Sequence, residues 1–440
     1  MKRLQIMMKG HLISFLLALT LTAYGQASRP YLEKALLAEK WIRSVRVESP
    51  QGTMWPITPG DTSKVTNLYS GSAGVILFYL ELFHATQDEE FLEEAKNGAD
   101  FLLYHLPLKQ YGYEEIGLYT GLAGICYTLD KVYEVTKTER FQVGLNKYHR
   151  LLMSKAKTMD NLMDWRYTDI IYGASGIGLY LLNSAQQTTV KKNVVKTGRG
   201  LLSSDLGAKK ESRWYMDTAM VKRDYYMPNF SHGTAGVCYF LTRLYTLTNE
   251  KEFLTAALEG ANHLETIENK DAWIYHHDKD DGKGLYYLSW CHGPAGTSRL
   301  YYELYKITGD NKWLDKIKRS AQALMTCGIP EKQTSGFWNN VGPCCGSAGV
   351  AEFFLELHKI FKDSSYLEFS KHVTENLLQR ATTEGDAIFW KQAENRRDPD
   401  LLQAQTGYMQ GSAGIGMWLL HLDAFDNNYK SIIKLPDNSF

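Results

Sequence analysis

Two kinds of apolar run alternate along the chain. The first is apolar on nearly all sides and opens on a Gly-x-x-Gly: YSGSAGVILFYLEL (69–82), YTGLAGICYTL (119–129), IYGASGIGLYLL (171–182), FSHGTAGVCYFL (230–241), SWCHGPAGTSRLYYEL (289–304), GPCCGSAGVAEFFLEL (342–357) and YMQGSAGIGMWLL (408–420). The second is amphipathic: ATQDEEFLEEAKNGADFLLYHL, VTKTERFQVGLNKYHRLL, LTNEKEFLTAALEGANHL, ITGDNKWLDKIKRSAQAL and FKDSSYLEFSKHVTENLL carry apolar residues at three- and four-residue spacing. The second kind predicts helices with one wet face, the first predicts helices buried all round. YLEKALLAEKWIRSV (31–45) adds one more outer helix ahead of the first inner one.

The first glycines fall at Gly71, Gly121, Gly173, Gly233, Gly293, Gly346 and Gly411, a period of 50 to 65 residues. A helix pair that cannot bury its inner member alone either stacks into an open solenoid or closes into a ring. The terminal copies carry the same apolar inner run and no polar cap, which favours closure. The expected fold is all-α, an α/α toroid of seven inner and about seven outer helices, as a single domain over 30–440. All seven inner N-termini then point to one face, where their unpaired N–H groups and positive dipole ends converge. Two loops are long, HHDKDDGKGLYYLSW and AIFWKQAENRRDPDLLQAQTGY, and are expected as short hairpins over the mouth.

Composition narrows the partners. Lys+Arg and Asp+Glu both number 49, so no net field favours nucleic acid, an anionic membrane or a polyanionic substrate. The start, MKRLQIMMKGH followed by LISFLLALTLTAYG, reads as a secretory signal over 1–25, with Ala23 and Gly25 placed for cleavage before Gln26. That apolar run is shorter than the roughly 20 residues a spanning helix needs, so no stable membrane span is expected after cleavage. The mature chain is expected to be exported, periplasmic or extracellular.

Within a repeat, positions that break the consensus are where chemistry should be sought. Immediately before the first glycine stand Ser70, Thr120, Tyr172, His232, His292, Cys345 and Gln410, and one position earlier come Cys291 and Cys344. In a ring, repeats four to six are neighbours, so Cys291, Cys344 and Cys345 converge. Three soft thiolates suit zinc, with water or substrate as fourth ligand. A disulfide, Cys344–Cys345 or Cys291–Cys344, is the competing reading in an oxidising compartment. Cys126 and Cys238 sit two residues after their second glycine and read as small buried hydrophobes, and Cys327 lies at the end of an outer helix. His292 is read as a ligand or a donor behind one, His232 as a proton donor or acceptor. Asp169, four residues before Gly173, is the one carboxylate at that offset and reads as an acid-base or orienting group, or as a loop-structuring one. His276 and His277 are expected in an exposed polar loop.

In their order, DIIYGASG, SHGTAG, WCHGPAG and CCGSAG resemble the lanthionine synthetase C-like family, the LanC cyclases, over about residues 60–425. The resemblance implies an α/α toroid that uses zinc to activate a cysteine thiol for addition to a dehydroamino acid in a peptide, giving a thioether. It implies Cys291 and Cys344 as zinc ligands, His232 as the acid-base histidine and Asp169 as its aspartate. Three features depart from the family pattern. Cys345 stands where histidine is usual, Tyr287 stands where an arginine often precedes the first zinc cysteine by four residues, and export contrasts with cyclisation in the cytoplasm. A third thiolate leaves the zinc more electron-rich, which should loosen the substrate sulfur and make it more nucleophilic. The partners implied are a peptide or thiol substrate and a separate dehydratase that makes the alkene. Two other readings stand beside this one: an exported carbohydrate-active toroid, which needs paired carboxylates, and a non-catalytic zinc protein that binds thiols or peptides.

Overall fold

The computed structural model describes residues 28–105, 115–183, 188–207, 211–217 and 226–440; the expected signal over 1–25 lies outside the described residues. In chain order the helices are α1 (Pro30–Ser44), α2 (Ser72–Thr86), α3 (Glu89–His105), α4 (Leu122–Thr136), α5 (Glu139–Met153), α6 (Ala174–Asn183), α7 (Thr188–Ser203), α8 (Thr234–Thr248), α9 (Lys251–Ile267), a single turn α10 (Asp280–Lys283), α11 (Pro294–Thr308), α12 (Lys312–Thr326), α13 (Ser347–Phe361), α14 (Ser364–Gln379) and α15 (Ser412–Asp426). Helices α2, α4, α6, α8, α11, α13 and α15 follow the seven Gly-x-x-Gly motifs and are the inner ring. In α2 every residue from Ser72 to Leu82 is buried. The outer helices bury one stripe only, as in α12, where Trp313, Ile317, Ser320, Ala321 and Leu324 face inward at helical spacing.

Each inner helix packs on the next, and α15 returns to pack on α2. The ring is therefore closed. The outer helix α1 packs on α15, and just before it Arg29 Nε donates to Asp423 Oδ2 at 3.1 Å. The first outer helix thus covers the last inner one, and the two meet at one seam.

A second closure runs through the backbone on the motif face. The amide of Tyr69 donates to the carbonyl of Tyr119, Tyr119 to Ile171, Ile170 to Ser231, Ser231 to Cys291, Cys291 to Cys344, Cys344 to Met409, and Met409 back to Tyr69. Their lengths run from 2.8 to 3.2 Å. This girdle joins the motif loops of all seven repeats. The second glycine of the motif permits the close approach: a Cβ on Gly296 would lie 2.0 Å from the Trp290 carbonyl, and one on Gly349 2.1 Å from that of Pro343.

The described residues also form four two-stranded antiparallel hairpins, which helical periodicity does not reveal: β1 (Val47–Ser49) with β2 (Gly52–Met54), β3 (Lys157–Met159) with β4 (Leu162–Asp164), β5 (Thr382–Glu384) with β6 (Ala387–Phe389), and β7 (Lys391–Gln392) with β8 (Gln403–Ala404). The last is the hairpin expected at the mouth. The other long loop, residues 276–290, does not form one: it holds the single turn α10. Among the described residues no helix is long and apolar enough to cross a membrane.

Candidate metal centre and acid-base site

The loop before α11 carries Cys291, and the loop before α13 carries Cys344 and Cys345. Their Sγ atoms lie within 4.8 Å of one another, and all three residues are buried. Cys291 Sγ is 3.1 Å from Cys345 Sγ, and Cys345 Sγ is 3.4 Å from Cys344 Sγ. All six cysteines carry free thiols, so neither disulfide expected as the competing reading is present. Cys126 and Cys238 are fully buried, and burial pushes the Cys126 thiol up to about 12.

Burial alone would raise Cys344 as well, but hydrogen bonds from Cys291, Cys345 and Tyr69 bring it well below the ordinary thiol range. Burial leaves Cys291 well above that range. Hydrogen bonds within the cluster thus favour ionisation at Cys344 over its neighbours, and the N-termini of α11 and α13 add their positive ends. Three soft sulfurs converging on the wall of a cavity are a donor set that fits zinc.

Behind the thiols is a fixed set of neutral hydrogen bonds. Tyr69 OH donates to Cys344 Sγ at 3.2 Å, and Gln410 Nε2 donates to Tyr69 OH at 3.0 Å. Asn340 Nδ2 donates to the side-chain Oε1 of Gln410 at 2.7 Å. Gln392, on β7, accepts the amides of Val341 and Gly342 at 2.9 Å each and donates back to Gln410. One buried side chain therefore ties the mouth hairpin to the loop that bears Cys344 and Cys345.

His232 precedes α8, and its Nδ1 lies 2.6 Å from Asp169 Oδ2. Asp169 is fully buried and also accepts the amide of Tyr172 at 3.1 Å through Oδ1. A buried carboxylate that accepts from Nδ1–H leaves Nε2 of His232 facing the cavity as an acceptor. The ring of Tyr172 stacks on His232 at 5.6 Å.

His292 packs beside His232, with ring centroids 5.5 Å apart, and its Nδ1 is buried without a hydrogen-bond partner. Its burial, with the charges of His276, His232 and His277, holds it well below the ordinary histidine range, so it is neutral near pH 7. It lines the cavity but is outside the group of three thiols.

The expected exposure of His276 and His277 is not found. His277 is buried, and His276 stacks on Tyr287 at 4.4 Å and meets His292 edge-on at 4.5 Å. The flanking Asp and Lys residues give the segment its polar look, but Asp280, Asp281 and Lys283 of α10 are exposed while the imidazole of His276 packs between Tyr287 and His277.

The cavity that collects these groups has a volume of about 540 Å³. Tyr69, Tyr172, His232, His292 and the three cysteines line it from the motif loops; Glu394, Arg396 and Leu401 line it from the β7–β8 hairpin. The positive charge of Arg396 works against the burial that raises the Tyr287 hydroxyl. Nothing in the repeat comparison singles out Arg396, and the only sequence signal for it is the length of its loop. It places a guanidinium beside Tyr287, the position where the resemblance leads one to look for an arginine.

A family model described as Lanthionine synthetase C-like protein matches residues 63–434. Glutathione S-transferase LANCL1 of Danio rerio is 22% identical over 307 residues, spanning 68% of this chain and 71% of that protein. Nisin cyclase superposes with a TM-score of 0.60 at 16% identity, over 89% of this chain and 93% of that one. The Lin0763 protein from Listeria innocua superposes at 0.52 and 12% identity, over 90% and 97% of the two chains. At these identities the two structural likenesses speak to the fold. The match to the family model covers most of the chain and all seven motifs, and the chain belongs to the lanthionine synthetase C-like family.

Proposed function

We propose that this protein is a zinc-dependent thioether-forming enzyme that adds a cysteine thiol to a dehydroamino acid in a peptide. The observation that carries the reading is the meeting, in one cavity, of the Cys291/Cys344/Cys345 cluster with the His232–Asp169 pair. Cys291, Cys344 and Cys345 would hold the metal, which when bound supplies the acidity that keeps a substrate thiol ionised at neutral pH.

The remaining work falls to the chain's own groups. Asp169 fixes the tautomer of His232 so that Nε2 takes the thiol proton. The sulfur adds to the β-carbon, the carbon–carbon π bond opens toward the carbonyl, and the imidazolium of His232 returns the proton to the α-carbon. No redox partner is needed, since the atoms of thiol and alkene are all retained in the thioether. Arg396 is placed to orient the substrate carbonyl and to stabilise negative charge that develops on it. The alkene must come from a dehydratase acting earlier on the same substrate.

A carbohydrate-active toroid needs two acids on the motif face; Asp169 is the one carboxylate at a motif position, and it is buried and paired with His232. The name of the Danio rerio relative, a glutathione S-transferase, raises a small thiol as an alternative to an internal cysteine. Both thiol donors are tested together: purified protein is incubated with a dehydrated cysteine-containing peptide, and separately with glutathione and a dehydroalanine peptide. Thioether formation is followed by loss of free thiol and by mass. Product in either arm supports the reading and assigns the donor; no product in both, from zinc-loaded protein, rejects it in favour of a binding role. We also propose export through residues 1–25, which the N-terminal mass of the mature protein tests: it should begin at Gln26.

A further inference from the structure

After α15 the chain turns back and runs through the centre of the ring. Glu81 on α2 accepts the amides of Ile432 and Ile433 at 3.1 and 2.9 Å, and Tyr127 OH on α4 donates to the Lys434 carbonyl at 2.8 Å. Lys306 on α11 donates to the Ser439 carbonyl at 3.2 Å, and the ring of Phe440 lies 6.3 Å from that of Phe353 on α13. Helices from four separate repeats therefore grip one short segment.

The segment delivers a carboxylate to the underside of the motif loops. Asp437 is fully buried. Its Oδ1 accepts from Tyr119 OH at 2.9 Å; its Oδ2 accepts from Trp290 Nε1 at 2.8 Å and from Arg299 Nη1 at 2.9 Å. A buried charge needs such partners, and these leave it fixed in position.

Two of those partners lead to the thiols. Trp290 is the residue before Cys291. Tyr119 accepts the amide of Tyr69 through its carbonyl, and Tyr69 OH donates to Cys344. We infer that Asp437 is a positioning residue for the metal centre: a central pin that sets the spacing of Cys291 and Cys344 from below, through Trp290 and through the Tyr119–Tyr69 pair. The inference rests on the reading that the thiols hold zinc. It assigns to the C-terminal segment a task in the site that the motifs themselves do not reveal.

The test compares zinc affinity, by competition with a chromophoric chelator, and thermal stability in the full-length protein carrying Asp437→Asn or Asp423→Asn. Asp423 is an equally buried carboxylate, but its partners Arg29 and Tyr429 lie at the seam of the ring. Asp437→Asn is expected to weaken zinc binding about 10-fold or more, the scale seen when groups behind metal ligands are removed. Asp423→Asn should lower the melting temperature with zinc affinity unchanged. If Asp437→Asn does not fold, Trp290→Phe takes its place, since it loses the N–H to Asp437 while keeping an aromatic ring. Zinc affinity equal to wild type in the folded variant would overturn the pin, even with a lower melting temperature. Wild-type protein with no zinc affinity would instead overturn the zinc reading on which the pin rests.

Discussion

The amide of Cys291 donates to the carbonyl of Cys344 at 3.0 Å, across 53 residues of sequence. Two of the three clustered thiols are thus spaced by the bond that joins repeats five and six, and not by side-chain rotamers alone. A metal bound there would inherit the rigidity of the ring.

Replacing Cys291 or Cys344 by Ala should reduce zinc from about one per chain to near zero by elemental analysis, because two remaining thiols do not make a stable tetrahedral site. Cys345→His should retain the metal and lower the addition rate. An unchanged rate in Cys345→His would remove the case for a special reactivity of the three-thiol set.

His232→Asn should lower kcat by about 10² to 10⁴, the usual range for a positioned acid-base group, with zinc content intact. Asp169→Asn should follow in the same direction, since an amide in its place no longer forces the proton onto Nδ1 of His232. Kinetics paired with metal analysis separates these effects from loss of the site.

Arg396→Ala should raise KM and lower kcat/KM while leaving zinc content and melting temperature close to wild type, because the side chain is half-exposed on the β7–β8 hairpin. Arg396→Lys should recover only part of the loss, since an ammonium cannot reproduce a planar, two-pronged contact.

Stability should fall in mild acid. Burial, reinforced by the charge of His277, holds His276 down at about 3, against about 6.5 in an unfolded chain. Between those values the unfolded chain binds the extra proton, so the contribution is full above about pH 6.5 and is lost progressively as pH falls toward 3. Urea midpoints measured from about pH 7 down to about pH 4 should decline, and His276→Phe should flatten that decline.

The fold was legible because the glycine pair must recur wherever an inner helix packs against its own preceding loop, as Gly296 does against Trp290. The thiols and His232 were legible as breaks in that recurrence. Tyr69 was hidden by the same logic: Tyr119 occupies its equivalent place in the next repeat, so the residue that touches Cys344 looks like fold. Gln392 and Arg396 lie on a hairpin outside the repeat, and only the ring brings them to the cavity. His276 was misplaced because local polarity says nothing about a tyrosine eleven residues on that stacks against it.

The seam where Arg29 meets Asp423 and Met409 meets Tyr69 also fixes an order of events during synthesis. A growing chain that has passed Cys345 already owns every proposed zinc ligand, yet the bond from Cys344 to Met409 has no acceptor until repeat seven has emerged. Contacts between such distant parts of a chain form late. The centre is therefore completed only once repeat seven is in place, and the thiols reach their final spacing only when the ring shuts.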